Sequence, residues 1–550
     1  MAEDPGLTIA DIASKGVVKD TPPVSLASNI FTDVRNVRFK DGAIRKIEGE
    51  LLLNNITDDQ SSPKSLGKVR YFAVWQNPNL QPTGCYYVFV VDLLNNNIIV
   101  GQKVYIQDHT GTKKDVTPTT LNSGNGFTFT TSGWQHTLFS GGFNFIINNG
   151  IEKPHYIQDT PGNTNINNIV LAELPGWDSY NAEQVPHNDT FVTGNSTVFD
   201  LGQKVNFVNN SIIVTGTNTK ASQAGSPAGS GTHNGTDFVP GDLPGTIPTI
   251  GTDHFQTYTD TLTNTTVIVV GNLSNTNTLK ITIKSRNPVL VRCGIVESFR
   301  DLLVAGNLTE VDSVTPANVV RRLSGVVRTS DVAAPGAIPN NWNPFATGAS
   351  TADEFTLSDT SVIQDMKSLQ GNMYIYSSDS IHVMRLTGNV VAPVSFAPVT
   401  DEYGCFTTGG ILEYDGKHFV IGSNDIYLFS GNPGNIQSLV DARVRNYFRD
   451  NLNPTHEKQL QLLHNLPENE IWVCYPTLDS IGGELDEALI HNYRDNTWTI
   501  RDLDSVMSAD MGPIKGGGIP TATIALTGNS GNFGYTNRGK KEVVAVTING

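Results

Sequence analysis

Apolar residues along this chain come in short runs broken by Gly, Asn, Asp and Ser, a pattern that predicts many brief strands joined by turns. Several runs, such as 85–91, 419–421 and 470–475 (EIWVCY), are almost continuously apolar. A strand that reads this way is covered on both faces, as in stacked sheets. One stretch departs from the pattern: in 437–451 (QSLVDARVRNYFRDN), Leu439, Val440, Val444, Tyr447 and Phe448 share one face. That spacing predicts a helix packed between sheets.

The strand pattern repeats. QGNMYIYSSDSIHVMRLTG, starting at Gln370, aligns with DGKHFVIGSNDIYLFSG, starting at Asp415. Gly371 falls on Gly416, Tyr374 on Phe419, Ile375 on Val420, Ser378 on Ser423 and Ile381 on Ile426. Looser copies of the same outline occur at 143–151 (FNFIINNGI) and 189–199 (DTFVTGNSTVF). Further strand openings lie at 300–306 (RDLLVAG) and 470–475, and a terminal copy at 523–535. A repeat of about 45 residues made of antiparallel strands is the signature of a β-propeller, whose blades are stable only when stacked. The expected fold is therefore all-β: a propeller of about six blades with an inserted β-domain and few helices.

The expected organisation is an N-terminal arm and first strand (1–60), then the first part of the propeller (61–201) with a hairpin extension near 92–134. A Thr/Asn/Gly-rich inserted β-domain follows (202–287), and the remainder of the propeller occupies 288–550. The insertion is marked by a shift in composition around TKASQAGSPAGSGTHNGTDFVPGDLPG, flanked by SIIVTG, TTVIVVG and LKITIKS.

Composition narrows the function. The 550 residues carry 37 Lys+Arg against 53 Asp+Glu, a net charge of −16, which lacks the electrostatic footprint of a nucleic-acid binder. The first residues show no secretory pattern, and no apolar run approaches the ~20 residues that span a bilayer, so neither a leader nor a membrane anchor is expected. The four cysteines (Cys85, Cys293, Cys405, Cys474) lack metal-ligand or C-x-x-C spacing and are expected to be reduced and buried.

Chemical motifs are weak. GYTNRGKK (534–541) approaches a phosphate-binding loop, but Lys541 stands where Ser or Thr is needed for magnesium and no helix pattern follows. Asp353 with Glu354, and Glu484 with Asp486 and Glu487, are the carboxylate groups that a glycosidase would require, and solvated loop charge is the simpler reading. The histidines form no metal-binding pair; His418, in a repeat strand where the other copy has Met373, reads as a packed residue. Trp134, Trp177, Trp342 and Trp498 lie near turns, either as sugar-stacking platforms or as blade-packing residues. Basic residues cluster at Arg35, Arg38, Lys40, Arg45 and Lys46, and at Arg321 and Arg322. The first cluster is either ordinary surface charge or a contact for an acidic neighbouring subunit. No catalytic, cofactor-binding or metal residues are assigned, no cofactor is expected, and the chain is not expected to be an enzyme.

The segment 22–50 (PPVSLASNIFTDVRNVRFKDGAIRKIEGE), with Asn36, Val37, Arg38, Phe39, Gly42 and Gly49, resembles the N-terminal signature of the tail nozzle proteins (tail tubular protein B family) of short-tailed bacteriophages. The order of later segments is also similar: Phe-Arg-Asp at 299–301, Pro-x-x-Trp-Asn-Pro at 339–344, the two repeat units, and DEYGCFTTG at 401–409. The insertion has no counterpart in this resemblance. What the resemblance implies is a virion structural protein of the phage tail, made in the host cytoplasm. It further implies a homohexameric ring, contact with an upstream tail adaptor or portal ring and with tail fibres, and a channel through which genome DNA is ejected without sequence-specific binding. The alternatives are a carbohydrate- or receptor-binding tail propeller, a tail hub or plug protein, and a cytosolic scaffold.

Overall fold

The computed structural model of the protein describes residues 14–47, 50–55, 64–80, 84–108, 111–163 and 165–177, the strands within 186–284, and then 289–311, 319–344, 351–359, 361–389, 393–512, 523–528 and 532–536. It is an all-β protein with six blades arranged as a propeller and, among the described residues, one short α-helix. Blade 1 consists of strands Lys64–Trp75, Tyr86–Asn95, Ile98–Asp108 and Lys113–Asp115. Blade 2 runs Gln135–Phe139, Asn144–Asn148, His155–Gln158 and Val170–Glu173. Blade 3 runs Val289–Phe299, Leu302–Val311, Val319–Thr329 and Glu354–Thr356. Blade 4 is Ile363–Leu369, Asn372–Ser377, Ile381–Leu386 and Val394–Thr400, and blade 5 is Ile411–Tyr414, Lys417–Ile421, Ile426–Phe429 and Gln437–Ser438. Blade 6 comprises Gln461–Asn465, Glu470–Tyr475, Leu485–Asn492 and Thr497–Gly512.

The internal repeat corresponds to blades 4 and 5. Leu369 pairs with Asn372 and Tyr414 with Lys417 across two-residue turns. Both turns put two residues at positive φ (Gln370 50°, Gly371 83°; Asp415 48°, Gly416 67°). This mirror-image turn matches strand twist, and its second position suits glycine, which explains why Gly371 and Gly416 are the fixed landmarks.

Neighbouring blades share apolar cores. Trp75 and Val88 of blade 1 pack with Phe145 and Ile157 of blade 2, and Ile146 of blade 2 packs with Val296 and Leu303 of blade 3. The series continues through Ile375 with Val304, Tyr376 with Val420, and Phe419 with Ile471. Each central strand is thus covered on both faces, which is why it reads as an unbroken apolar run.

The sixth sheet does not end with its fourth strand. Thr497–Gly512 pairs through its first half with Leu485–Asn492 and through its second half with Thr523–Gly528. Asn532–Thr536 follows, and Glu50–Asn55, from near the start of the chain, is the outermost strand of this seven-stranded sheet. The second half of Thr497–Gly512 lies against blade 1, where the Ser508 hydroxyl accepts from the Phe72 N–H at 3.0 Å and Asp510 accepts from the Val74 N–H at 2.7 Å. The second half of Thr497–Gly512 is thus a closing strip between blades 6 and 1.

Three local expectations are corrected. The helix is shorter than 437–451: Gln437–Ser438 pairs as the outer strand of blade 5, Ala442 takes φ 54°, and helix α1 spans only Arg445–Asn451. The stretch near 92–134 is not an extension but the central hairpin of blade 1, followed by a loop that hydrogen-bonds back to Gln102. The outline at 189–199 is not a blade, since Pro186–Thr193 pairs with Asn277–Lys284 and Val198–Asp200 with Thr265–Val270. The inserted β-domain thus begins before residue 202, and its two sheets also include Ile212–Thr217, Gly231–Thr232 and Phe255–Asp260. Among the described residues, no helix is long and apolar enough to cross a membrane.

Candidate functional site

The inner strands surround a cavity of about 240 Å³ to which every blade and the closing strip contribute side chains, among them Tyr71, His136, Glu297, Lys367, Gln461 and Asp510. This axial cavity is the candidate site, because it brings together titratable groups that are scattered in the sequence.

The polar groups here join one blade to the next. The Tyr71 hydroxyl of blade 1 lies 2.6 Å from Nδ1 of His136 on blade 2. The Thr137 hydroxyl of blade 2 donates to Glu297 of blade 3 at 2.5 Å, and Lys367 of blade 4 donates to the same carboxylate at 3.0 Å. Asp365 of blade 4 accepts from the Gly409 N–H, at the entry to blade 5, at 3.1 Å. Between blades 5 and 6 the link is aromatic: Tyr414 meets His464 edge-on with ring centroids 5.9 Å apart. Gln461 of blade 6 donates to Ser508 at 3.1 Å and accepts from the Ala509 N–H at 2.7 Å, tying it to the closing strip.

Burial sets the protonation of these groups. It pushes the Asp365 carboxyl up to about 7, against the opposing pull of Lys367 and the Met366 N–H, and pushes Asp510 up to about 6. Burial also drives His136 down to about 4, so it is neutral near pH 7. Lys367 is held above the ordinary lysine range by the Glu297 carboxylate beside it. A carboxyl that titrates near neutrality beside a cavity is suited to proton transfer. Both Asp365 oxygens, however, are engaged by backbone, Oδ1 by Met366 N–H at 2.8 Å and Oδ2 by Gly409 N–H. The arrangement holds blades in register and leaves little of the carboxylate for a substrate.

Most of the residues singled out from sequence are placed elsewhere, although Trp134 lines the axial cavity. Trp177 and Trp342 are fully buried and meet edge-on at 4.7 Å; Trp134 and Trp498 are also in the core, donating to Gln102 and to the Leu439 carbonyl. His418 is buried, 2.7 Å from the Tyr376 hydroxyl and 3.1 Å from the Ser368 carbonyl. Glu354 pairs with buried Arg328, Glu484 with Lys68, and Glu487 with Arg35, Tyr447 and Tyr475; Asp486 accepts from Thr477. The four cysteines are buried and form no disulfide, and burial pushes the Cys85 and Cys474 thiols up to about 12. In the near phosphate-loop motif, 537–541 lies outside the described residues. Among the described residues, no group of three or more His, Cys, Asp or Glu is placed to hold a metal ion.

The N-terminal basic cluster is largely paired inside the chain. Arg35 bridges Glu487 and Asp502, Arg38 pairs with buried Glu470, and Lys40 reaches Glu468 at 2.5 Å, all on blade 6. Arg45 and Lys46 are exposed on strand Ala43–Lys46, the outer strand of a two-stranded hairpin with Val37–Lys40.

No protein-family model matches the sequence, and no curated protein does. Solved structures with some likeness include an ancestral GH74 enzyme, with 10% identity over 88% of this chain and 56% of that one and a TM-score of 0.25. Another is Sqt1 of Saccharomyces cerevisiae, with 8% identity over 88% and 98% of the chains and a TM-score of 0.31. The extracellular domain of BT3049 from B. thetaiotaomicron gives 10% identity over 88% and 68%, with a TM-score of 0.23. Likeness at this level carries no information about activity, and it assigns no residue of the axial cavity.

Proposed function

We propose that this chain is a structural subunit of a short-tailed phage tail, acting in a ring of copies around a channel for the genome. The observation that carries the reading is the use of the axial polar groups: Glu297, Asp365, Gln461 and Asp510 each connect neighbouring sectors of the propeller. A propeller braced in this way is suited to bearing load. The cavity, at about 240 Å³, has no room for a duplex whose major groove alone is about 12 Å wide, so DNA would pass between copies, not through one propeller. The resemblance of 22–50 to tail nozzle proteins supports the same reading, and in this chain that segment supplies Arg35, Arg38 and Lys40 to blade 6.

The net charge of −16 suits passive conduction: if acidic side chains line the lumen, they repel a polyanion and release no counterions to it. The test is electron microscopy of virions labelled with an antibody raised against the inserted domain. Label on a sixfold ring at the tail tip is the expected result; absence of the chain from particles would overturn the proposal.

A further inference from the structure

A second cavity, of about 250 Å³, opens where the loop 422–425 of blade 5 faces helix α1. Phe406, Ile426, Val440, Phe448 and Leu452 form an apolar floor, and Ser423, Asn424 and Asp425 add polar groups to the wall. Two arginines one helical turn apart, Arg445 and Arg449, stand over this floor from the same side. Their donors are filled unequally. Arg449 donates to the Ser423 carbonyl at 2.5 Å and to Asn424. Arg445 makes only long contacts, 3.4 Å each to Asp425, Asp441 and the Ser438 hydroxyl, and its Nε–H is buried with no acceptor. Glu457 also lines the cavity.

We infer that this pocket binds a small monocarboxylate with a compact apolar body. An apolar cavity of about 150 Å³ accepts a benzene ring, so the volume here takes a ring or branched alkyl group together with a short acid arm. The planar guanidinium of Arg445, held only by long contacts, is matched to a carboxylate. The carboxylates of Asp425 and Glu457, which both line the cavity, disfavour a second negative charge on the ligand, which selects monoanions over dianions. Ser423, Asn424 and Pro454 are exposed at the mouth and leave the entrance open to solvent.

Saturation-transfer NMR on the full chain, with 3-phenylpropanoate as probe and its neutral amide as control, tests this. The acid is expected to bind at least about tenfold more tightly than the amide, since a tenfold ratio corresponds to one modest charge-assisted contact. Arg445→Gln is expected to reduce acid binding by a similar factor. Because Arg445 also contacts Asp425, a second variant is needed: Asn424→Trp, at an exposed position, blocks the mouth and is expected to abolish the signal. Equal binding of acid and amide, no binding of the acid, or unchanged binding in Asn424→Trp would each overturn the inference.

Discussion

The Tyr71 hydroxyl sits 2.6 Å from Nδ1 of His136, and the pair joins the inner strands of blades 1 and 2. The same chemistry recurs between blades 4 and 5, where Tyr376 meets His418 at 2.7 Å. Each is a neutral hydrogen bond in a water-poor setting, where an unpaired partner is penalised. Tyr71→Phe is expected to destabilise the protein by about 1–3 kcal/mol, the desolvation penalty of one buried group left without its partner, read from urea unfolding.

Protonation of the axial cavity gives a second prediction. The folded Asp365 titrates at about 7, well above an ordinary aspartate, so its contribution is full at low pH and is lost as pH rises from about 4 to 7. Buried His136 works in the opposite sense: lowered to about 4, it removes stability as pH falls through 6.5. Asp365→Asn imitates the protonated carboxyl and so isolates the first effect. The stability of the variant relative to wild type is expected to improve between pH 5 and pH 8, with a slope on the order of 1 kcal/mol per pH unit at most. A pH-independent difference in thermal denaturation would refute the assignment.

Arg38 and Glu470 form an ion pair that is nearly sealed from water, with side-chain exposures of 7% and 1%. Arg38→Ala strands the carboxylate and is expected to cost about 3–5 kcal/mol, whereas replacing both partners with apolar residues of similar size should cost much less. Equilibrium unfolding of the single and double variants separates the two outcomes. Limited proteolysis of Arg38→Ala should also show earlier cleavage between residues 14 and 47, since this pair anchors the N-terminal segment on blade 6.

Gly176 has φ 67°, and a Cβ there would run into the Asn340 carbonyl. The next residue, Trp177, packs edge-on against Trp342. Gly176→Ala therefore strains the backbone and forces apart the loops that carry the two indoles. The expected loss is at least about 1–3 kcal/mol, with a red shift of tryptophan emission as the pair is exposed.

Much of the fold was legible because its signals are local. The 370 and 415 repeat follows from two turn glycines and apolar runs only a few residues long, and both hairpins form where they read. The helix was overextended because Leu439, Val440, Val444 and Phe448 do share a buried surface, yet the backbone reverses at Ala442 before α1 begins. DTFVTGNSTVF has the periodicity of a blade strand, and only its partners, Asn277–Lys284 and Thr265–Val270, assign it to the insertion. The axial groups were illegible for a different reason. Tyr71, Glu297, Lys367 and Asp510 lie on four different strands, far apart in the chain and with no shared spacing. They become neighbours only when the ring is complete.

Because Glu50–Asn55 takes its place beside Asn532–Thr536, that strand must wait until residue 536 has left the ribosome. Blades 1 to 5 can condense in order behind the exit tunnel, but the last gap is sealed only after translation has passed residue 510, whose carboxylate accepts from the Val74 N–H. A nascent chain arrested before that point exposes the inner edge of blade 1, leaving it open to chaperones or to strand exchange with another unfinished copy.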